Sequence, residues 1–177
     1  MNRTLRYEII GIVFIVFLGS FLHFTYELSG FNQVVAAFSA VNESTWEHLK
    51  LSVFPALIYA IFEFFLLKDP KNLWPAKAVS IYLMPFLTAV FFYGYLLFIP
   101  DNFPMDISIF IAAVVIGQLV SQRILTSKRD CTRFRVVAIA LLILLPILFV
   151  AFTYYPPHIF LLQDPLTGGY GLPVSNP

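Results

Sequence analysis

A chain of 177 residues that is 59% hydrophobic, 18% aromatic and 12% charged has too little polar surface to cover a water-soluble particle. Soluble domains run nearer about 25% charged, so a bilayer is the expected solvent. The basic residues lie beside apolar runs rather than on one face, which excludes nucleic acid as a partner, and a single cysteine, Cys131, excludes an intrachain disulfide or a thiolate cluster.

Arg3 and Arg6 precede the apolar run Ile9 to Leu18, as in a secretory signal. Bulky Leu18 stands two residues before Ser20, where a cleavage site needs a small side chain, so the run is expected to be retained. A helix needs about 20 apolar residues to cross the hydrocarbon. The first span is expected at about 7–28, closed by Gly30. From Phe31 to Val41 the apolar residues Val34, Val35, Phe38 and Val41 have helical spacing but too little length, which predicts a short interfacial or re-entrant helix on the outer side.

The second span, about 44–67, opens at Asn42-Glu43-Ser44-Thr45-Trp46-Glu47, where Ser44 and Glu47 match a reciprocal capping box, and stops at Lys68-Asp69-Pro70. The third, about 76–99, carries Pro85 and Tyr93-Gly94-Tyr95 and ends at Pro100-Asp101-Asn102. A fourth, about 107–125, bears Gln118, Ser121 and Gln122 near its far end, and a fifth, about 136–155, contains Pro146. Proline is tolerated in such helices where neighbours satisfy the freed carbonyl. Turn-forming residues fill the tail, about 156–177. The expectation is one all-α integral membrane domain over 1–177, with five transmembrane helices.

Short cytoplasmic loops retain an excess of Lys and Arg. Ten of the eleven basic residues fall at the N-terminus, between spans two and three (Lys68, Lys71, Lys77) or between spans four and five, and the exception, Lys50, begins a helix. The expected orientation in a cell membrane is N-terminus cytoplasmic, C-terminus outside.

That topology places His23, His48 and His158 at the outer end, with Glu27, Glu43, Glu47 and Asp164. Glu27 follows His23 by four residues, about 6 Å of helical rise, on a shared face. Imidazoles and carboxylates from separate segments suit a borderline divalent cation, Zn²⁺ first and Fe²⁺ or Mn²⁺ next. The expected ligands are His23, Glu27, His48, His158 and Asp164, with Glu43 and Glu47 as catalytic carboxylates and Trp46 and Lys50 as substrate contacts. Structural uses compete: Glu47 in the capping box, Asp164 in an Asx turn, Trp46 in an aromatic belt, Lys50 snorkelling or pairing with Glu47. At the inner end Glu63 is within reach of Gln118 and Gln122, snorkelling or lining a proton or solute path.

The segments His23-Phe24-Thr25-Tyr26-Glu27, Val41 to Lys50, and Pro156-Pro157-His158 with Asp164-Pro165 and Gly168 to Gly171 resemble a family of small bacterial integral membrane proteins of unknown function. The resemblance covers nearly the whole chain and implies a multi-pass protein, without an activity. No H-E-x-x-H, G-x-S-x-G or Walker pattern is present. The residues together predict a metal-dependent membrane hydrolase acting on a lipid, peptide or envelope precursor. A solute- or ion-binding transporter using the same polar cup, and a structural or regulatory subunit, are the alternatives.

Reporter fusions after Lys71, Asp101, Arg129 and Pro177 are expected to read inside, outside, inside and outside. A C-terminus on the inside would overturn the span count.

Overall fold

The computed structural model describes residues 3–68 and 70–172, so Asp69 and residues 173–177 of the expected tail lie outside the described residues. The helices are α1 (Arg3–Leu28), α2 (Gln33–Ala36), α3 (Thr45–Leu67), α4 (Leu73–Leu96), α5 (Phe103–Leu125) and α6 (Arg135–Tyr154), with 3₁₀ turns at Thr132–Phe134 and Phe160–Leu162. Among the described residues there is no β-strand, only an isolated bridge between Gln163 and Tyr170. The five helices other than α2, α6 taken with the turn before it, are each long and apolar enough to cross a membrane. Their outer faces are hydrocarbon: Phe17, Phe65 and Val136 are 80%, 69% and 79% exposed.

The helix expected over 31–41 shrinks to the single turn α2. Asn32 starts it by accepting from Val34 N at 2.9 Å. Ser39 ends the segment by turning back to α1: its hydroxyl accepts from Tyr26 N at 3.0 Å and from Thr25 Oγ1 at 2.9 Å, and donates to the Leu22 carbonyl. Such side-chain bonds to backbone compete with helix continuation.

Ser44 caps α3 as expected, its Oγ accepting from Glu47 N at 3.4 Å. The reciprocal half of the box is absent, because Asn42 Oδ1 takes Ser44 N at 2.9 Å and leaves the Glu47 carboxylate free to turn inward. Other boundaries move as well: α1 opens at Arg3 rather than near 7, and α4 closes at Leu96 rather than near 99. In place of a start near 76, α4 begins at Leu73, since Asn72 anchors its entry by donating to Arg129 O at 2.9 Å and Ile124 O at 3.3 Å and accepting from Cys131 N at 3.0 Å. Pro75 fits the first turn, where its missing N–H has no intrahelical partner to lose. Lys77, at the edge of the expected span and counted there with the loop's basic residues, lies inside the helix and is 1% exposed. Asn102 caps Met105 N at 3.2 Å, so α5 starts at Phe103 rather than near 107.

Helix α3 is central: 61% of its most apolar stretch is buried, against 22–28% in the other long helices. It packs on α1, α4 and α6, while α5 bridges α1 and α4. Pro55 lacks an N–H, so the Leu51 carbonyl four residues earlier loses its helical donor. Gly19 of α1 stands against that carbonyl; a Cβ there would lie 2.3 Å from Leu51 O and 2.8 Å from Phe110 Cζ. The absence of a side chain at Gly19 sets the α1–α3 approach one turn before His23.

Gly19→Val is therefore expected to destabilise the fold by about 1–3 kcal/mol or more, as overpacking does. Thermal unfolding in detergent reads this, and an unchanged melting temperature would show that α1 does not rest on α3 as described.

Candidate metal-ligating site

The buried residues of α1 include Glu8, Gly11, Ile15, Gly19 and Tyr26, a stripe of helical period. His23 sits at the edge of that stripe and is half-buried. From the start of α3, His48 meets it with Nε2 3.2 Å from His23 Nε2. Glu43, in the loop before the cap, brings Oε2 to 3.4 Å from His48 Nε2. The ligand atoms of His23, Glu43 and His48 all lie within 4.8 Å of one another, so the three residues could hold a metal ion.

The tautomer of His48 follows from its other nitrogen. Nδ1 is 3.0 Å from the Ser44 carbonyl, which can only accept, so Nδ1 carries a proton, and Nε2 presents a lone pair in the neutral ring and an N–H in the protonated one. A lone pair facing a carboxylate oxygen at 3.4 Å is repulsive unless positive charge stands between them, as a proton or as a cation. With bonds of about 2.0–2.1 Å, the edge of a tetrahedron around Zn²⁺ is about 3.3–3.4 Å, and both spacings match it. A hydrogen bond from His48, helped by the charges of His48 and His23, holds Glu43 below the ordinary carboxylate range against the opposing effect of burial. Its contribution to stability is thus present above the ordinary Glu pKa and is lost as pH falls through the lowered value.

A model of the "Family of unknown function (DUF6512)" matches residues 1–172. The chain belongs to this family. No curated protein and no solved structure matches it. Whatever chemistry this member of DUF6512 performs has to be argued from its own geometry.

The other expected site residues of this family member are placed as follows. Glu27 is exposed and outside the cluster. His158 reaches the same end of the bundle but stacks on Tyr170, ring centroids 4.4 Å apart, and does not join His23 and His48. Asp164 builds an Asx turn, accepting from Leu166 N at 3.0 Å and Thr167 Oγ1 at 2.6 Å. Trp46 packs on Phe149 and Phe152, with centroids 4.4 and 5.4 Å away.

Glu47 and Lys50 are outside the ligand group and are both buried. Lys50 Nζ is 2.5 Å from Glu47 Oε2 and donates to Ala36 O at 3.0 Å and Thr153 Oγ1 at 2.9 Å. Glu47 also accepts from Thr153 Oγ1 at 2.9 Å and Val41 N at 3.3 Å. Each has its partners within the protein, and the pair ties α2, α3 and α6 together. A carboxylate at this end that was not among the expected site residues is Asp106 of α5, which accepts from Tyr95 OH at 2.6 Å and lies within electrostatic reach of His48. Its only sequence signal is a carboxylate in the first turn of a span entering at the histidine level.

Lys50→Met is expected to destabilise the protein by about 3–5 kcal/mol by stranding Glu47, whereas Lys50→Met with Glu47→Leu recovers most of the loss. Unfolding measurements on the cycle decide it, and additive losses would refute a mutually dependent pair.

Proposed function

We propose that the chain crosses a cell membrane five times, N-terminus cytoplasmic, and that His23, Glu43 and His48 hold a divalent cation at its outward end. On this reading it is a metal-dependent hydrolase acting on a lipid, peptide or envelope precursor. The observation that carries the metal is the ligand set itself, two imidazole nitrogens and one carboxylate whose ligand atoms lie within 4.8 Å of one another, with the His23–His48 and His48–Glu43 spacings matching edges of a coordination tetrahedron. Nitrogen and oxygen donors without thiolate suit Zn²⁺, with Fe²⁺ or Mn²⁺ next. Three protein ligands leave a fourth position for water, the arrangement in which Zn²⁺ lowers the pKa of that water to about 7.

The side chains of His48 and Glu43 are 31% and 45% exposed, so a substrate group reaches the open position from the end of the bundle. Glu47 is engaged by Lys50 and Thr153, which leaves Asp106 or the second oxygen of Glu43 to take the proton from the water. The membrane reading rests on the five apolar helices and on the gathering of basic residues at the end opposite the histidines, where Lys71 pairs with Asp130 at 2.8 Å.

Purified protein, stripped with chelator and reloaded with Zn²⁺, Fe²⁺ or Mn²⁺, is expected to retain about one equivalent by elemental analysis. His23→Ala and His48→Ala abolish retention, Glu43→Gln weakens it at least about tenfold, and Glu27→Gln and His158→Ala leave it intact. Binding should fail as pH drops through about 6–7, where histidines protonate. Failure to bind any of the three ions overturns the metal centre. Binding without turnover of lipid or peptide extracts overturns the hydrolase.

A further inference from the structure

A second polar cluster lies toward the opposite end, inside the bundle. Lys77 of α4 donates to both oxygens of Glu8 on α1, at 3.0 and 2.9 Å, and Ser121 of α5 donates to Glu8 Oε1 at 2.6 Å. Lys77 Nζ is also 2.5 Å from Oε2 of Glu63 on α3. Glu8, Glu63 and Lys77 are 0%, 0% and 1% exposed.

The two carboxylates are not equally served. Glu8 accepts three hydrogen bonds, while neither oxygen of Glu63 accepts one with proper geometry, despite the close approach of Lys77. On α5, Gln118 Nε2 is buried without an acceptor. From α3, Tyr59 turns its hydroxyl to the Tyr7 carbonyl and only its ring toward Lys77, 5.9 Å from the ring centre. Fully ionised, the cluster would carry one uncompensated negative charge among four helices, in a place where an unpaired charge is neutralised rather than tolerated. One added positive charge removes both the excess and the unpartnered state of Glu63.

We propose that Glu8, Glu63 and Lys77 form a buried proton-binding site, in which the two carboxylates share one proton above the lysine ammonium. The bound state is one carboxyl, one carboxylate and one ammonium, with no net charge. Binding forms one O–H bond on a carboxylate oxygen, and release returns the proton to water with the excess charge left between α1, α3, α4 and α5. Because each of those helices contributes a group to the cluster, occupancy of the site acts on the packing of the whole bundle. The site is separate from the histidine cluster, and neither proposal depends on the other.

Infrared spectroscopy of the purified full chain at neutral pH tests this. The expected result is a carbonyl-stretch band of a protonated carboxylic acid, shifted in D₂O, that is lost in both Glu8→Gln and Glu63→Gln. Each variant leaves one carboxylate facing one ammonium, so both keep a balanced charge and should fold. A band unchanged in both variants overturns the proposal, as does the absence of any such band. A band that appears only after Na⁺ and K⁺ are replaced by a bulky organic cation would also overturn it, by assigning the site to a metal cation.

Discussion

Lys50 and Glu47 are buried together in an apolar bundle, and the architecture of the histidine end depends on satisfying them. An isolated buried charge is worth several kcal/mol of destabilisation, so each needs its counter-charge and further hydrogen-bond partners. Those partners come from elsewhere in the chain: the Ala36 carbonyl, the Val41 amide and the Thr153 hydroxyl. The segment after α1 therefore cannot continue as a regular helix. It must arch over Lys50 so that its own backbone serves as ligand to the pair, and Ser39 pins the arch to α1. The same arch delivers Glu43 to the edge of the bundle, within reach of His48.

Helical register then divides one turn of α3 between two tasks. Glu47 and Lys50, three residues apart, share the face toward α2 and α6, while His48, about 100° round from Glu47, faces α1. The rigid face fixes the adaptable one. Since Glu47 and Lys50 are locked by partners on three elements, the rotation of α3 is set, and with it the direction of the His48 ring, whose Nδ1 is held by the Ser44 carbonyl of the cap. On the facing helix, Gly19 sets the distance. The 3.2 Å between the imidazoles thus follows from contacts outside the histidine pair, among them the Ser44 carbonyl that holds the His48 ring.

The five long helices were legible because length and apolarity suffice to mark them, and Ser44 because a capping serine acts locally. The pairing of His23 with His48 was also legible, from their placement at one end. Glu27 was not, and the reason is geometric: a four-residue step advances about 40° beyond a full turn. Gly19 lies on the buried face, His23 is about 40° from it and half-buried, and Glu27 about 80° from it and exposed. Sharing a face with a ligand does not mean pointing at the same ion. Lys77 escaped for a different reason, since its burial depends on where α4 starts, and Asn72 sets that start through partners more than fifty residues away. Glu63 was visible as a polar residue near a helix end, but the cation beside it was hidden in what read as a loop.

Three polar groups of the bundle follow one rule with different consequences. At Glu47 and Lys50 one anion meets one cation, and each proton of the ammonium and each oxygen of the carboxylate has a protein partner, so the group is closed and nothing further is required of it. At His23, Glu43 and His48 a carboxylate faces an imidazole lone pair, and at Glu8, Glu63 and Lys77 two carboxylates face one ammonium. Each of these is short by one positive charge. The side chains of His48 and Glu43 are partly exposed, which suits the proposed metal ion, whereas Glu8, Glu63 and Lys77 are fully buried, which suits the proposed proton. On the two proposals, a bundle that balances one buried pair while leaving two other clusters incomplete holds its structure with the first and binds cations with the others.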